Sequence, residues 1–158
     1  ILMAYGYDAR DMSGFVGGAY HQTAATAPIG QVYLGLAALT DQVDPGKVLL
    51  GFSAQATAWQ IDENGNLLSG TPVYPSAETV TRRLAQQDTV TGWSDTYQQS
   101  YAVYTTEDGG RYFLWYQDGA SVEAAMRAAK LLGVTGMSLW RLGSLPDSTV
   151  WNWDSLAG

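Results

Sequence analysis

Two aromatic side chains, and few acids placed to help them, are what this sequence offers for chemistry. Tyr5 ends an apolar run over residues 1–5, and Trp140 lies near the end of a second run over residues 136–143. Side chains alternate faces along a strand. Ile1, Met3 and Tyr5 therefore share one face of the first run, and Gly136, Ser138 and Trp140 share one face of the second. Met137, Leu139 and Arg141 take the opposite face. Small residues leading to one large ring at the C-terminal mouth are what an inward strand of a closed parallel barrel shows, and barrel sites lie at that mouth. A phenol there can donate a hydrogen bond to a substrate oxygen, and an indole can floor the apolar face of a sugar. The same two rings could equally be core, and the residue pattern leaves both readings open.

The ionisable groups supply no matching machinery. Hydrolysis of a glycosidic bond needs a carboxylic acid beside the leaving oxygen and a group that stabilises the anomeric centre, and the chain contains no Asp-x-Asp-x-Glu cluster. Asp8 and Asp11 fall in a loop with no partner at a fixed strand spacing and read as surface charges. Asp118, just before the last helix, reads as a structural hydrogen-bond acceptor. The single His21 forms neither a triad nor a metal set, and the glycines at 14–18 lack the spacing and lysine of a phosphate loop. No metal and no cofactor is implied.

The elements that must position the two rings follow from periodicity. Residues 1–5 read as a strand. Ile29, Val32, Leu36, Leu39 and Val43 recur at helical spacing, Asp44-Pro45-Gly46 forms a turn, and residues 48–52 form a second strand. Strand, helix and strand at these lengths make a unit of a parallel sheet. The pattern then breaks. Asp62-Glu63-Asn64-Gly65-Asn66 is hairpin-turn chemistry with a positive φ expected at Asn64-Gly65, Ser76 caps a short helix carrying Val80 and Leu84, and residues 91–93, 100–105 and 111–116 read as strands. This is a small α+β insertion over 59–113. After it, Ser121 caps a helix with Val122, Met126, Ala129 and Leu132 on one face, Gly133 closes that helix, and residues 135–142 form a third parallel strand. Trp151 and Trp153 belong to an extended tail. Three parallel strands cannot close a barrel of eight. The expected fold class is therefore α/β, the C-terminal portion of a (β/α)8 barrel, with residues 1–58 and 114–158 as its two parts around the insertion.

Composition bounds the partners. A chain of 158 residues with 46% hydrophobic content can bury a real core. A net charge of -7 with only 8 Lys+Arg argues against a nucleic-acid backbone as partner. Without cysteine there is no disulfide, thiolate zinc site or cysteine nucleophile. No apolar run approaches the roughly 18 residues of a membrane span, and no signal-peptide pattern opens the chain. The first residues are already strand-like, so an excised piece of a longer chain is expected. With 6 Trp and 10 Tyr, the composition favours flat-ligand surfaces such as those that hold sugars, although a large β-rich core looks similar.

At these residues the sequence resembles the C-terminal half of glycoside hydrolase family 18, the chitinase-like barrels, and particularly the bacterial spore-cortex and cell-wall members. Leu2-Met3-Ala4-Tyr5 is similar to the family's Met-x-Tyr-Asp strand six. Lys47-Val48-Leu49-Leu50-Gly51-Phe52, running to Trp59, is similar to strand seven, and Gly136-Met137-Ser138-Leu139-Trp140-Arg141-Leu142-Gly143 to strand eight. Trp115-Tyr116-Gln117-Asp118-Gly119-Ala120-Ser121 resembles the aromatic-acidic stretch before the final helix.

The resemblance implies substrate-assisted hydrolysis of β-linked N-acetylglucosamine polymers, peptidoglycan or chitin. The substrate's own acetamido group attacks the anomeric carbon while a Glu protonates the leaving oxygen. On that basis Tyr5 would orient the acetamido group, Trp140 would floor the reacting sugar's subsite, and Met3, Asp8 and Gln55 would complete substrate binding. The family's Asp-x-x-Asp-x-Asp-x-Glu belongs to strand four, which this sequence does not contain, so the chain alone is expected to be inactive. Gly6 stands where the strand-six Asp is expected, with Tyr7-Asp8 as a shifted equivalent. Gln55, Thr57 and Ser53 replace the strand-seven Tyr, Arg and Pro. The Gln55 and Thr57 departures favour an alternative, a non-catalytic carbohydrate-binding or cell-wall-associated barrel. A purely structural domain is the third reading. The resemblance implies an extracellular or cell-surface bacterial location. The outer two parallel strands would be open edges, to be covered by the rest of the barrel or by self-association.

Overall fold

The computed structural model describes residues 1–7, 23 and 25–141. In chain order they form β1 (Leu2–Met3), α1 (Ile29–Thr40), β2 (Leu49–Ser53) and β3 (Thr57–Ile61). There follow α2 (Ala77–Leu84), β4 (Val90–Ser94), β5 (Gln99–Thr105), β6 (Arg111–Tyr116), α3 (Gly119–Leu131) and β7 (Gly136–Trp140). Two sheets result: a parallel one in the order β1-β2-β7 and an antiparallel one in the order β3-β6-β5-β4.

Alternation decides which face of the parallel sheet is covered. The register sets Leu2, Leu50 and Met137 side by side. Together with Ala4, Phe52 and Leu139 they pack against the apolar stripes of α1 and α3, which contribute Val32, Leu36, Val122, Ala125 and Ala129. Each such burial contributes about 1.5–3 kcal/mol for a full Val, Leu or Phe side chain. The opposite face, away from the helices, carries Met3, Gly51 and Ser138. Among the described residues its edge strand β1 pairs on one side only, and Ile1 is 72% and Met3 67% exposed.

The first strand is shorter than residues 1–5. Only Leu2 and Met3 pair with β2, and Gly6, at φ +77, already turns the chain away. The boundaries expected at 59 and 113 fall inside β3 and β6, since ladder pairing runs from Thr57↔Trp115 to Ile61↔Arg111. The turn chemistry at 62–66 is present: Gly65 lies at φ +85, a conformation cheap only without a Cβ, and the Asp62 carboxylate accepts from the backbone N–H groups of Asn64 and Asn66, both at 2.8 Å. Ser76 caps α2 by accepting from Thr79 N–H.

At α3 the cap is Asp118 rather than Ser121. Asp118 Oδ1 accepts from the backbone N–H and hydroxyl of Ser121, both at 2.9 Å, and Oδ2 accepts from the Ser100 hydroxyl at 2.6 Å. Asp118 takes the cap because its backbone is still extended, at φ -134, so that its side chain reaches the otherwise unpaired N–H of Ser121, which already lies within the first turn.

The insertion is fastened to the rest by polar bonds as well as packing. Pro28, at the start of α1, offers no side-chain cap. The Tyr97 carbonyl, in the β4–β5 turn, accepts from Ile29 N–H at 3.1 Å instead. The buried Gln99 accepts from Ala27 N–H at 3.1 Å and donates to the Thr26 hydroxyl at 3.2 Å. Trp115 Nε1 donates to the Thr23 hydroxyl at 3.0 Å. Beside these bonds Ala25 packs into an aromatic cluster of Trp59, Tyr97, Phe113 and Trp115.

Candidate functional site

The uncovered face of the parallel sheet is small in its middle and aromatic at its end. At Gly51 an added Cβ would lie 2.9 Å from the Leu2 carbonyl oxygen and 3.4 Å from the Tyr5 ring. Tyr5 therefore rests over Gly51, an approach that a side chain there would prevent. Two residues further along, Ser53 pairs with Trp140. The indole ends β7 and is 57% exposed. Its carbonyl accepts from Ala54 N–H at 3.0 Å, and the Trp140–Arg141 peptide is cis.

A cleft of about 620 Å³ opens at this end of the sheet. Ser53, Ala54 and Gln55 line it from the end of β2, Trp140 and Arg141 from the end of β7, and residues 74–78 of the insertion form the remainder. The Ser53 hydroxyl accepts from Gln55 N–H at 3.1 Å, which shapes the turn that puts Gln55 in the cleft. Tyr74 and Glu78 bring a phenol and a carboxylate to it. A half-open cavity with exposed rings and scattered polar groups suits a ligand with both apolar faces and hydroxyls.

Of the residues singled out from the sequence, Trp140 and Gln55 meet in this cleft. Tyr5 and Met3 lie on the same face of the sheet but do not line the cleft. Asp8 lies outside the described residues, as do Asp11, His21, Trp151 and Trp153. Thr57 is fully buried in β3 and cannot touch a ligand. Arg141, expected on the covered face, lines the cleft instead because β7 ends at Trp140 and the alternation ends with it. Tyr74 and Glu78 escaped sequence reasoning; the signal that could have found them is an aromatic set between Pro72 and Pro75 just before a helix cap.

Asp118 keeps its structural role, bonded to Ser100 and Ser121 and outside the cleft. Burial, with Asp118 beside it, pushes the Tyr116 phenol up to about 12 against the opposing hydrogen bond of Ser100. It stays neutral at ordinary pH. Among the described residues no three His, Asp or Glu side chains gather as a metal site, and no helix is long and apolar enough to cross a membrane.

No family model matches the chain. It is 25% identical over 150 residues to the cortical fragment-lytic enzyme of Bacillus subtilis (strain 168), a match covering 94% of this chain and 32% of that protein. The structure is similar to that of the Bacillus cereus spore cortex-lytic enzyme SleL, with a TM-score of 0.72, 23% identity, and coverage of 98% of this chain and 33% of the other. It is also similar to a glycoside hydrolase family 18 N-acetylglucosaminidase from Paenibacillus barengoltzii, with a TM-score of 0.66, 20% identity, and coverage of 98% and 46%. The fold is thus one found in chitinase-type glycosidases, and the resemblance to glycoside hydrolase family 18 stands. Within that class the similarity runs to the spore cortex-lytic enzymes of Bacillus. The chain spans about a third of the length of the curated relatives it matches.

Proposed function

We propose that these residues are the C-terminal part of a (β/α)8 glycosidase acting on β-linked N-acetylglucosamine polymers, peptidoglycan or chitin, by substrate-assisted hydrolysis. The observation that carries this reading is the cleft at the C-terminal ends of β2 and β7, lined by an exposed Trp140. In this arrangement Trp140 stacks on the sugar whose bond is cleaved, and Gln55 hydrogen-bonds it from the end of β2. Tyr5, on the same face of the sheet, holds the acetamido oxygen for attack on the anomeric carbon. The carboxylic acid that protonates the leaving oxygen comes from outside the 158 residues. The open β1 edge, with Ile1 and Met3 exposed, is where the remaining barrel strands pair. Such an enzyme works outside the cell or at its surface, where cortex and cell wall lie.

Incubating the 158-residue chain with a chromogenic N-acetylglucosamine oligomer is expected to release no chromophore. Turnover by this chain alone would contradict the placement of the acid. A non-catalytic carbohydrate-binding barrel is favoured by one observation, the glutamine at position 55 where the family carries tyrosine. The sequence of the parent's strand four separates the two, since a missing Glu there leaves binding without catalysis.

A further inference from the structure

The antiparallel sheet has two outer strands, and only one of them is covered. Along β3 the outward backbone is taken up by the chain that follows it: Val73 exchanges hydrogen bonds with Ala58, each 2.8 Å, and the Gln60 carbonyl accepts from Leu68 N–H at 2.9 Å. β4 pairs with β5 alone, from Val90↔Val103 to Ser94↔Gln99. In an antiparallel ladder every second residue points its N–H and C=O away from the partner strand, and among the described residues no other strand pairs with those of β4. Open edges are ordinarily blunted by lysine, proline or a bulge. β4 has none of these, since Val90-Thr91-Gly92-Trp93-Ser94 holds no charge and no proline and keeps its register with β5 over all five residues. Val90 is 65% exposed. At the centre, Gly92 carries no side chain, and the Tyr101 ring of β5 lies across the space one would fill.

The surroundings decide what such an edge attracts. Residues 85–110, which contain β4, β5 and the turns around them, hold four acids, Asp88, Asp95, Glu107 and Asp108, and no Lys, Arg or His. All four are exposed. Asp88 and Asp95 bracket the strand, and the ion pair found among the described residues, Arg127 with Glu123, lies on α3 instead. Arg83 of α2 sits over the Tyr104 ring, on the face of the sheet rather than at its edge.

We propose that β4 is a docking edge for an extended, basic peptide segment of a partner protein, which adds to the sheet as a fifth strand. Main-chain hydrogen bonds to the outward groups of β4 supply the affinity, and lysines or arginines reaching Asp88 and Asp95 select the segment. A second copy of this chain would match the backbone but not the charge. Antiparallel pairing centred on Gly92 brings Asp95 of one copy next to Asp88 of the other, and the whole chain carries a net charge of -7. None of residues 85–110 lines the cleft, so this surface is independent of the carbohydrate reading.

The test titrates the isotopically labelled 158-residue chain with a capped peptide, Lys-Thr-Val-Thr-Val-Thr-Lys, and with two N-methylated versions of it, one methylated on its threonines and one on its valines. An added strand uses the N–H groups of alternate residues only. One methylated peptide is therefore expected to bind within about twofold of the parent and the other to lose roughly tenfold or more. The parent should shift the backbone amides of residues 90–94, and the double change Asp88→Asn and Asp95→Asn should weaken it roughly three- to tenfold. Both sites are exposed, and unchanged amide shifts elsewhere show that the fold is intact. Equal binding of the two methylated peptides would mean attraction by charge without strand addition and overturns the proposal. No binding, or shifts confined to residues away from β4, overturns it as well. Sedimentation showing a dimer of the chain alone that Val90→Lys dissolves would put a second copy on this edge in place of the peptide and overturn the choice of partner.

Discussion

Trp140→Ala is expected to weaken binding of an N-acetylglucosamine tetramer roughly 30-fold, about 2 kcal/mol, the scale of an aromatic hot spot. Its unfolding midpoint in urea should stay close to that of the unsubstituted chain. The two halves of this expectation have one cause. The indole is more exposed than buried and sits on the face of β7 away from α1 and α3, so removing it takes little from the core. Exposed substitutions of that kind stay within about 0.5 kcal/mol. For a ligand stacked on the ring, the same change removes the largest apolar surface in the cleft. Isothermal titration and urea unfolding of the same preparation check both halves. If Trp140 were only packing, the outcome would reverse: stability would fall and affinity, if any, would not move.

Phe113→Ala carries the largest expected cost to stability, about 3–5 kcal/mol, as for other large-to-small changes at fully buried aromatics. Phe113 is fully buried at the middle of β6. It stacks on Tyr101 with centroids 5.2 Å apart and meets Trp115 edge to face. No neighbour can collapse into the space without breaking those pairs. The loss reaches the cleft because the same cluster holds Ala25, and Trp115 Nε1 holds Thr23. Loosening it frees the insertion from the segment before α1, and residues 74–78 shift relative to Trp140. Oligosaccharide affinity is therefore expected to fall together with the denaturation midpoint, in contrast to Trp140→Ala. A stability change under about 1 kcal/mol would mean that the cluster is not the keystone of the insertion.

Much of this arrangement is legible in the residues. The stripes of Val32 and Leu36 and of Val122, Met126, Ala129 and Leu132 specify two helices, because only a 3.6-residue period brings them onto one face, and all six belong to or pack against one core. The parity of residues 136–140 separates the covered Met137 and Leu139 from Ser138 and Trp140. Two things stayed hidden, for physical reasons. Residues 72–75 have no period of either kind, and what matters about Tyr74 is where the Val73–Ala58 bridge carries it, a tertiary fact. The cap on α1 comes from the Tyr97 carbonyl, 68 residues away in sequence (97 − 29), and a backbone acceptor leaves no mark in the side-chain pattern around Pro28. Tyr5 and Gln55 illustrate the limit of motif transfer. Both sit near the mouth of the parallel sheet, yet only Gln55 lines the cleft, because Tyr5 rests over Gly51, two residues before the Ser53 that lines it.

On the proposed function, one cleft lined by the ends of β2 and β7 and by residues 74–78 of the insertion binds N-acetylglucosamine polymers. Chemical-shift mapping of the isotopically labelled chain during titration with the tetramer tests it most directly. The expected result is a saturable set of shifts in the Trp140 indole N–H and the backbone amides of Gln55, Tyr74 and Glu78, with the oligomer uncut at the end of the titration. Shifts confined to residues away from that cleft, such as Tyr33 and the surface of α1, or no shifts at all, would contradict it.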